Sequence, residues 1–276
     1  MIARWLAVLS VAVAAMAAAS AYQAEIAAWH ARREAALKAE NGWLSLAGLF
    51  WLNEGTNSFG TDSSNEIPLP DGPARAGSFD LHQGKVTCTM NGSTRPLAPD
   101  SADVVNVGRL SLLVIQRGDR LGIRVKDPES PARREFHGIE SFPANEAWRV
   151  TAKFVPEPRR IPILNVLGQT EPSDSPGYAV FRLAGQELRL YPILEEPGAT
   201  QLFFIFRDQT SGKETYGAGR FLYTDLPKDG QVVLDFNQAY NPPCAFTPYA
   251  TCPLPPPENR LPVRIEAGEK TYGHGH

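Results

Sequence analysis

The chain has 276 residues, of which 43% are hydrophobic and 21% charged, with a formal net charge of -3. Such a chain is long enough for one large domain or two modest ones, and its charge argues against a general nucleic-acid binder, which carries a basic face or stripe. The 23 glycines and 24 prolines make about 17% of the chain, above the usual ~12%, and favour a turn-rich β protein over a helical bundle.

Residues 1–21 place Arg4 before an apolar run from Trp5 to Ala19, then Ala19-Ser20-Ala21, a small-x-small cleavage pattern. The run is shorter than the roughly 20 apolar residues of a membrane span, and no Cys follows it to carry a lipid. The expectation is a signal peptide with a mature start at Tyr22, hence a periplasmic or extracellular protein with no stable membrane insertion after cleavage. An uncleaved N-terminal anchor is the alternative.

Residues 22–41 read as one amphipathic helix, with Ile26, Trp29, Arg33 and Leu37 at helical spacing and Asn41-Gly42 as its stop. His30 beside that face reads as a surface histidine. Residues 42–127 then follow as a β-sandwich subdomain. Trp43–Leu52 is a short buried helix or a strand pair, and Gly55–Phe59 and Glu66–Leu69 are strands about TDSSN. SFDLHQ, KVTCTM, LSLLVIQ and LGIRVKD follow at 8–12-residue spacing, separated by turn residues. Arg117-Gly118-Asp119 reads as a hairpin turn. Residues 127–148, with Asp127-Pro128 and Ser130-Pro131, form a polar connection.

A second subdomain, 135–265, is expected to be more barrel-like. Its strands are RVTAKFV (149–155), IPILNVLG (161–168), a pair about Ala184-Gly185, a pair about the Thr-Ser-Gly-Lys turn of 210–213, and QVVLDFN. The fold class is mainly β, with antiparallel sandwich or barrel subdomains and one N-terminal helix. Residues 266–276 read as a flexible tail.

Familiar catalytic signatures are missing. Ser211-Gly212-Lys213-Glu214 lacks the Gly-x4-Gly-Lys-Ser/Thr of a phosphate loop, and no Gly-x-Ser-x-Gly elbow occurs. Cys244 and Cys252 are too far apart for a C-x2–4-C zinc site, and His274 and His276 end a tail. No metal or other cofactor is implied. Cys244 and Cys252 share one segment and form a possible disulfide in an oxidising compartment, while Cys88 in KVTCTM reads as a buried, inert thiol.

The most distinctive stretch is Asp235–Val263, with eight of the 24 prolines and two of the three cysteines. It reads as an ordered, irregular wall over the second subdomain. Arg207-Asp208 ends an apolar strand, where a buried pair must be mutually bonded. Glu214, Tyr216 and Arg220 share one face if they lie on a strand. Asp235, Asn237, Tyr240, Asn241, Tyr249, Glu258, Asn259 and Arg260 come from the wall. Either this set is a network that pins irregular backbone, or it lines a pocket. In the pocket, Arg220 or Arg260 would bind an anionic group, with Glu214, Asp235 or Glu258 as acid/base.

Two resemblances add to this. EGTNSFGTDSSNEIPLP and GPARAGSFDLHQGKV resemble the opening strands of a forkhead-associated β-sandwich. The positions that would match that family's phosphate-binding Arg, Ser and His are Gly60-Thr61 and Ala74–Ser78, so the likeness is one of scaffold only. GWLSLAGLFWLNEGTNSFGTD, RGDRLGIRVKDPESPARREF, FFIFRDQTSGKETYGAGRFL and DFNQAYNPPCAFTPYATCPLPPPENRLPVRIEAGEK resemble a bacterial family of uncharacterised proteins, over roughly residues 22–270. That resemblance implies that Tyr240–Pro262 is a family hallmark and brings no reaction with it. The expectation is an exported protein binding a small polar or anionic ligand under the wall, with no nucleic-acid partner. The alternatives are a hydrolase-type enzyme in the same pocket and a structural or interaction module of the envelope; oligomeric state is left open.

Overall fold

The computed structural model describes residues 2–273, with side chains from Ser20 onward. It is mainly β, with several antiparallel sheets and an N-terminal helix, as composition and turn spacing lead one to expect. Among the described residues no helix is long and apolar enough to cross a membrane. The leader expected over residues 1–21 falls almost wholly outside the residues whose side chains are described. Helix α1 (Ile2–Lys38) continues through that boundary without a break. Ile26 and Leu37 are buried on it, in keeping with the helical spacing, whereas His30 is half-buried rather than a surface residue.

The chain divides into two compact units. One comprises residues 36–137 and 246–250. A 3-10 turn at Trp43–Ser45 leads into β1 (Leu46–Trp51), so the apolar block is a turn and a single strand. Then follow β2 (Gly55–Gly60), β3 (Ile67–Pro68), β4 (Gly77–His82), β5 (Lys85–Met90), β6 (Ser93–Leu97), β7 (Val104–Val107), β8 (Leu110–Arg117) and β9 (Arg120–Lys126). They form two sheets, in the orders β1-β9-β8-β7 and β3-β2-β4-β5-β6. All pairings are antiparallel except that of β2 with β3.

Period-2 alternation turns Phe59, Phe79, Val86 and Leu97 of one sheet and Val105, Leu112, Val114, Ile123 and Val125 of the other into a single core. Cys88 is buried in it. Gly118-Asp119 is the β8–β9 hairpin turn, closing the Arg117–Arg120 pair. The connection beyond β9 holds a four-residue helix α2 (Pro131–Arg134), whose N-terminus Ser130 caps by accepting the Arg133 N–H.

The second unit holds α1 up to Ala35, Gly138–Ala245 and the described residues from Thr251. Its strands are β10 (Arg149–Leu164), β11 (Thr170–Leu183), β12 (Gln186–Leu190), β13 (Gln201–Phe206), β14 (Arg220–Asp225) and β15 (Gln231–Asp235). The sheet order is β12-β11-β10-β15, with β13-β14 as a separate ribbon. Three expectations are corrected here. The runs 149–155 and 161–164 are one strand, with 165–168 the turn that follows, because β11 follows β10 across the Pro156-Glu157-Pro158 break by a register shift between Pro156 and Arg159. No barrel closes: the β13–β14 ribbon is bordered by irregular wall, pairing Phe221 with Tyr240 and Arg207 with Arg260. The tail is not free up to residue 273. Ala267 and Glu269 are fully buried, and the Phe142 N–H donates to the Gly268 carbonyl.

One apolar core joins the sheet, the ribbon and the wall. It contains Phe154, Phe181, Leu190, Phe204, Phe206, Leu222, Leu234 and Phe236, together with Leu261, Val263, Ile265 and Ala267. The alternate residues 261, 263, 265 and 267 point inward like a strand, though they are held by single backbone hydrogen bonds such as Leu261 N–H to the Arg207 carbonyl rather than by a ladder. Gly219, at φ 112° just before β14, makes room for this: a Cβ there would meet Pro255 Cγ at 2.6 Å and the Phe206 carbonyl at 2.7 Å.

Candidate functional site

The residues expected to line a pocket separate into three bonded groups and a few surface pairs. The first group surrounds Arg220. Its side chain is wholly buried, donates to the Ala267 and Ile265 carbonyls, and lies 3.3 Å from the equally buried Asp208. Asp208 also accepts from Thr210 Oγ1 (2.8 Å) and from the Ile265 N–H (2.7 Å). Burial lowers the Arg220 guanidinium from its usual value, opposed by Asp208 and Glu269. Asp208 therefore pairs with Arg220 and not with its neighbour Arg207, whose backbone pairs with Asn259 and Leu261. The shared face of Glu214, Tyr216 and Arg220 does not exist, because β14 begins only at Arg220 and the first two residues lie in the loop before it. Glu214 sits at the surface, 2.7 Å from Arg264. Burial raises the phenol of half-buried Tyr216, and the neighbouring Cys244 and Cys252 add to the rise.

Three buried asparagines form clasps on irregular backbone. Asn237 accepts the Asn145 N–H through Oδ1 and donates through Nδ2 to the Asn145 carbonyl, both at 2.9 Å. Asn259 does the same to Tyr191, at 2.8 Å each way, and reaches the Ile205 carbonyl at 2.9 Å. Asn241 donates through Nδ2 to the Lys270 carbonyl and through its backbone N–H to Glu269 Oε2, each at 2.7 Å. A primary amide presents the same donor and acceptor as a peptide, so it serves where no strand can pair.

Around Asn241 lies the second group. Glu269 is buried, with Arg33 Nε 3.3 Å from its Oε1, and burial raises its carboxyl against the opposing pull of Arg33. Arg33 donates to the Asn241 carbonyl at 2.9 Å and lies 4.5 Å above the Tyr240 ring. Tyr240 stacks with Tyr223, whose hydroxyl donates to Glu195 at 2.5 Å. Burial pushes both phenols up.

The third group centres on Tyr22 and borders open space. Its hydroxyl donates to the Asp235 carboxylate at 2.8 Å and accepts from Asn237 Nδ2 at 2.7 Å. Burial, then the Asp235 hydrogen bond, raise its phenol strongly. Asn145, fixed by Asn237, caps the 3-10 turn Glu146–Trp148 by accepting the Ala147 N–H at 2.9 Å. Beside this clasp opens a recess of about 510 Å³, lined by Tyr22, Gln23, Phe142–Glu146, Trp148 and Glu266.

Of the other expected residues, Arg260 is exposed, Glu258 is a surface residue 3.8 Å from Arg159, and Tyr249 belongs to the first unit. Of the expected acids, Asp235 bonds a residue that lines the recess, Tyr22, without lining it itself. Sequence reasoning missed Tyr22, Asn145, Trp148 and Glu269, because they lie in the helix, the connection and the supposed tail. Cys244 and Cys252 are brought face to face, each backbone N–H donating to the other's sulfur at 3.1 and 3.2 Å. Among the described residues no three His, Cys, Asp or Glu side chains gather as metal ligands; His274 and His276 lie outside the described residues.

Residues 134–270 match the family described as "Protein of unknown function (DUF1684)" and carry a domain of it. The match is narrower than the 22–270 read from the sequence and covers most of the second unit without its helix. A solution NMR structure of an uncharacterised protein from Haloarcula marismortui is 31% identical, covers 52% of this chain and 83% of that chain, and has a TM-score of 0.44. No curated protein matches the chain.

Proposed function

We propose that this chain, with its domain of unknown function over residues 134–270, is an exported protein that binds a small polar molecule in the recess beside Tyr22. The observation carrying this reading is the contrast between filled and open polar groups. The arginines and asparagines under the wall are occupied by one another and by backbone, while the Tyr22–Asn145 clasp stands at a cavity of about 510 Å³. Small-molecule sites run from about 300 to 1,000 Å³ and combine rings with a few fixed polar groups. Tyr22, Phe142 and Trp148 supply rings; Asn145, Glu146 and Glu266 supply polar atoms.

The ligand is polar rather than specifically anionic, because Arg220 has no exposed surface and, among the described residues, no arginine or lysine lines the recess. The hydrolase reading draws less support, since Glu214 and Glu258 sit in surface pairs and Asp235 is held by Tyr22 and Asn237. The Arg220 network itself serves the fold.

A thermal-shift screen of polar metabolites on the purified mature chain tests the binding reading. A ligand at one hundred times its Kd adds about 2.7 kcal/mol of stability, and Trp148→Ala is expected to remove that gain. A screen without a hit, or a hit indifferent to Trp148→Ala, counts against it and favours the envelope-module reading. Export predicts that the protein recovered outside the cytoplasm begins at Tyr22; a product retaining residues 1–21 contradicts the cleavage.

A further inference from the structure

We propose that Cys244 and Cys252 are a redox pair that closes into a disulfide, with Cys244 as the entry sulfur and Cys252 as the resolving one. The evidence is geometric and independent of the recess. Each sulfur accepts a hydrogen bond from the other residue's backbone N–H, at 3.1 and 3.2 Å. That reciprocity turns the two side chains toward each other across a narrow gap, the arrangement a bridge needs, since bonded cysteines hold their Cα atoms about 4.4–6.8 Å apart.

Both positions are fixed by other contacts. Cys244 lies in the 3-10 turn Pro243–Ala245, where the Ala245 N–H donates to the Pro242 carbonyl. The Cys252 carbonyl accepts the Val166 N–H at 3.0 Å from the β10–β11 turn. Tyr216 stands beside both sulfurs, close enough for them to raise its phenol.

The order of reaction follows from exposure. Cys252 is 5% exposed, whereas Cys244 is only half-buried. A small disulfide oxidant therefore meets Cys244 first. The Cys244 thiolate attacks one sulfur of the oxidant and expels the other half as a thiolate, leaving a mixed disulfide. The Cys252 thiolate then attacks the Cys244 sulfur and expels the second half. The two protein thiols lose two protons and two electrons; the oxidant's disulfide gains both and leaves as two thiols. The product staples the start of the Pro-rich wall to the segment that runs along the β10–β11 turn. Cys88, buried in the other unit's core with its thiol pushed up by burial, takes no part.

The test is peptide mapping by mass spectrometry on the full mature chain, reduced and then exposed to oxidised glutathione. The expected result is a linked 244–252 peptide with Cys88 alone alkylated after unfolding, so that one thiol is counted where the reduced chain gives three. Cys252→Ser is expected to trap a glutathione adduct on Cys244, and Cys244→Ser to modify Cys252 at least ten-fold more slowly. An early time point on the wild-type chain reads the same order without a variant, as glutathione on Cys244 preceding the bridge. Three alkylated thiols after oxidation, a disulfide-linked dimer, or retained zinc on both sulfurs would overturn the pair. Faster modification at Cys252 would overturn the order.

Discussion

The network around Arg220 and the clasp around Tyr22 draw on the same kinds of side chain in the same compact unit, yet one is sealed and the other borders open space. Arg220 and Asp208 are wholly buried and surrounded by backbone partners from 265–267, so their charges are spent on holding the end of the chain against the β13–β14 ribbon. Tyr22, Asp235 and Asn237 are equally well bonded among themselves, but the segment they fix, Asn145–Trp148, forms the wall of a recess. Polar residue type alone does not distinguish a pin from a site; what distinguishes them is whether the far side of the network is filled with protein.

The largest expected effect lies on the sealed side. Arg220→Ala strands Asp208 and should cost about 3–5 kcal/mol, read from urea midpoints, without altering ligand response under conditions where the variant stays folded. A variant that keeps its stability and loses ligand binding would move Arg220 from pin to site. Tyr22→Phe probes the boundary. It deletes hydrogen bonds to the Asp235 carboxylate and Asn237, with an expected loss of about 1.5–3 kcal/mol for a bond to a charged group. Because the clasp also positions Asn145, this variant should weaken ligand response as well; unchanged binding would show that the recess does not depend on the clasp.

A smaller effect comes from pH. Burial lowers His30 from its usual 6.5, against the pull of Glu34, so the unfolded chain takes up the proton first. Stability from this residue is full above about pH 6.5 and is lost as pH falls from there through the depressed folded value. Glu269 runs the other way: burial raises it from 4.5, so its contribution is present below that value and lost as pH rises through the raised one. His30→Gln should flatten the acid-side slope of the urea midpoint below pH 6.5. An unchanged slope would remove His30 from the account.

Much of the fold was readable from alternation and turns. Residues 104–126 show why: LSLLVIQ and LGIRVKD alternate about Gly118-Asp119, and they form β8 and β9 with that turn. The Pro-rich wall was readable as ordered because its Tyr, Asn and charged side chains are too many for a linker. Its partners were not readable. Even spacing placed Glu214, Tyr216 and Arg220 on one strand face, but spacing carries no information once the backbone leaves the strand, and β14 starts only at Arg220. The tail expectation failed for a related reason. Residues 266–270 contain Gly and charges, yet Glu269 is tolerated in the interior because Arg33, far away in sequence, lies 3.3 Å from it. The recess was invisible for the same cause, since Tyr22, Asn145 and Glu266 are joined only by the fold.

The most direct test of the central claim, that the open recess and not the sealed network is the site, is calorimetric titration of a screened polar ligand against the wild-type chain and Trp148→Ala. Saturable binding to the wild type and at least a ten-fold weaker Kd in Trp148→Ala are expected, read at a temperature where the variant, which loses packing on the core, stays folded. Equal affinity for the two proteins would contradict that claim.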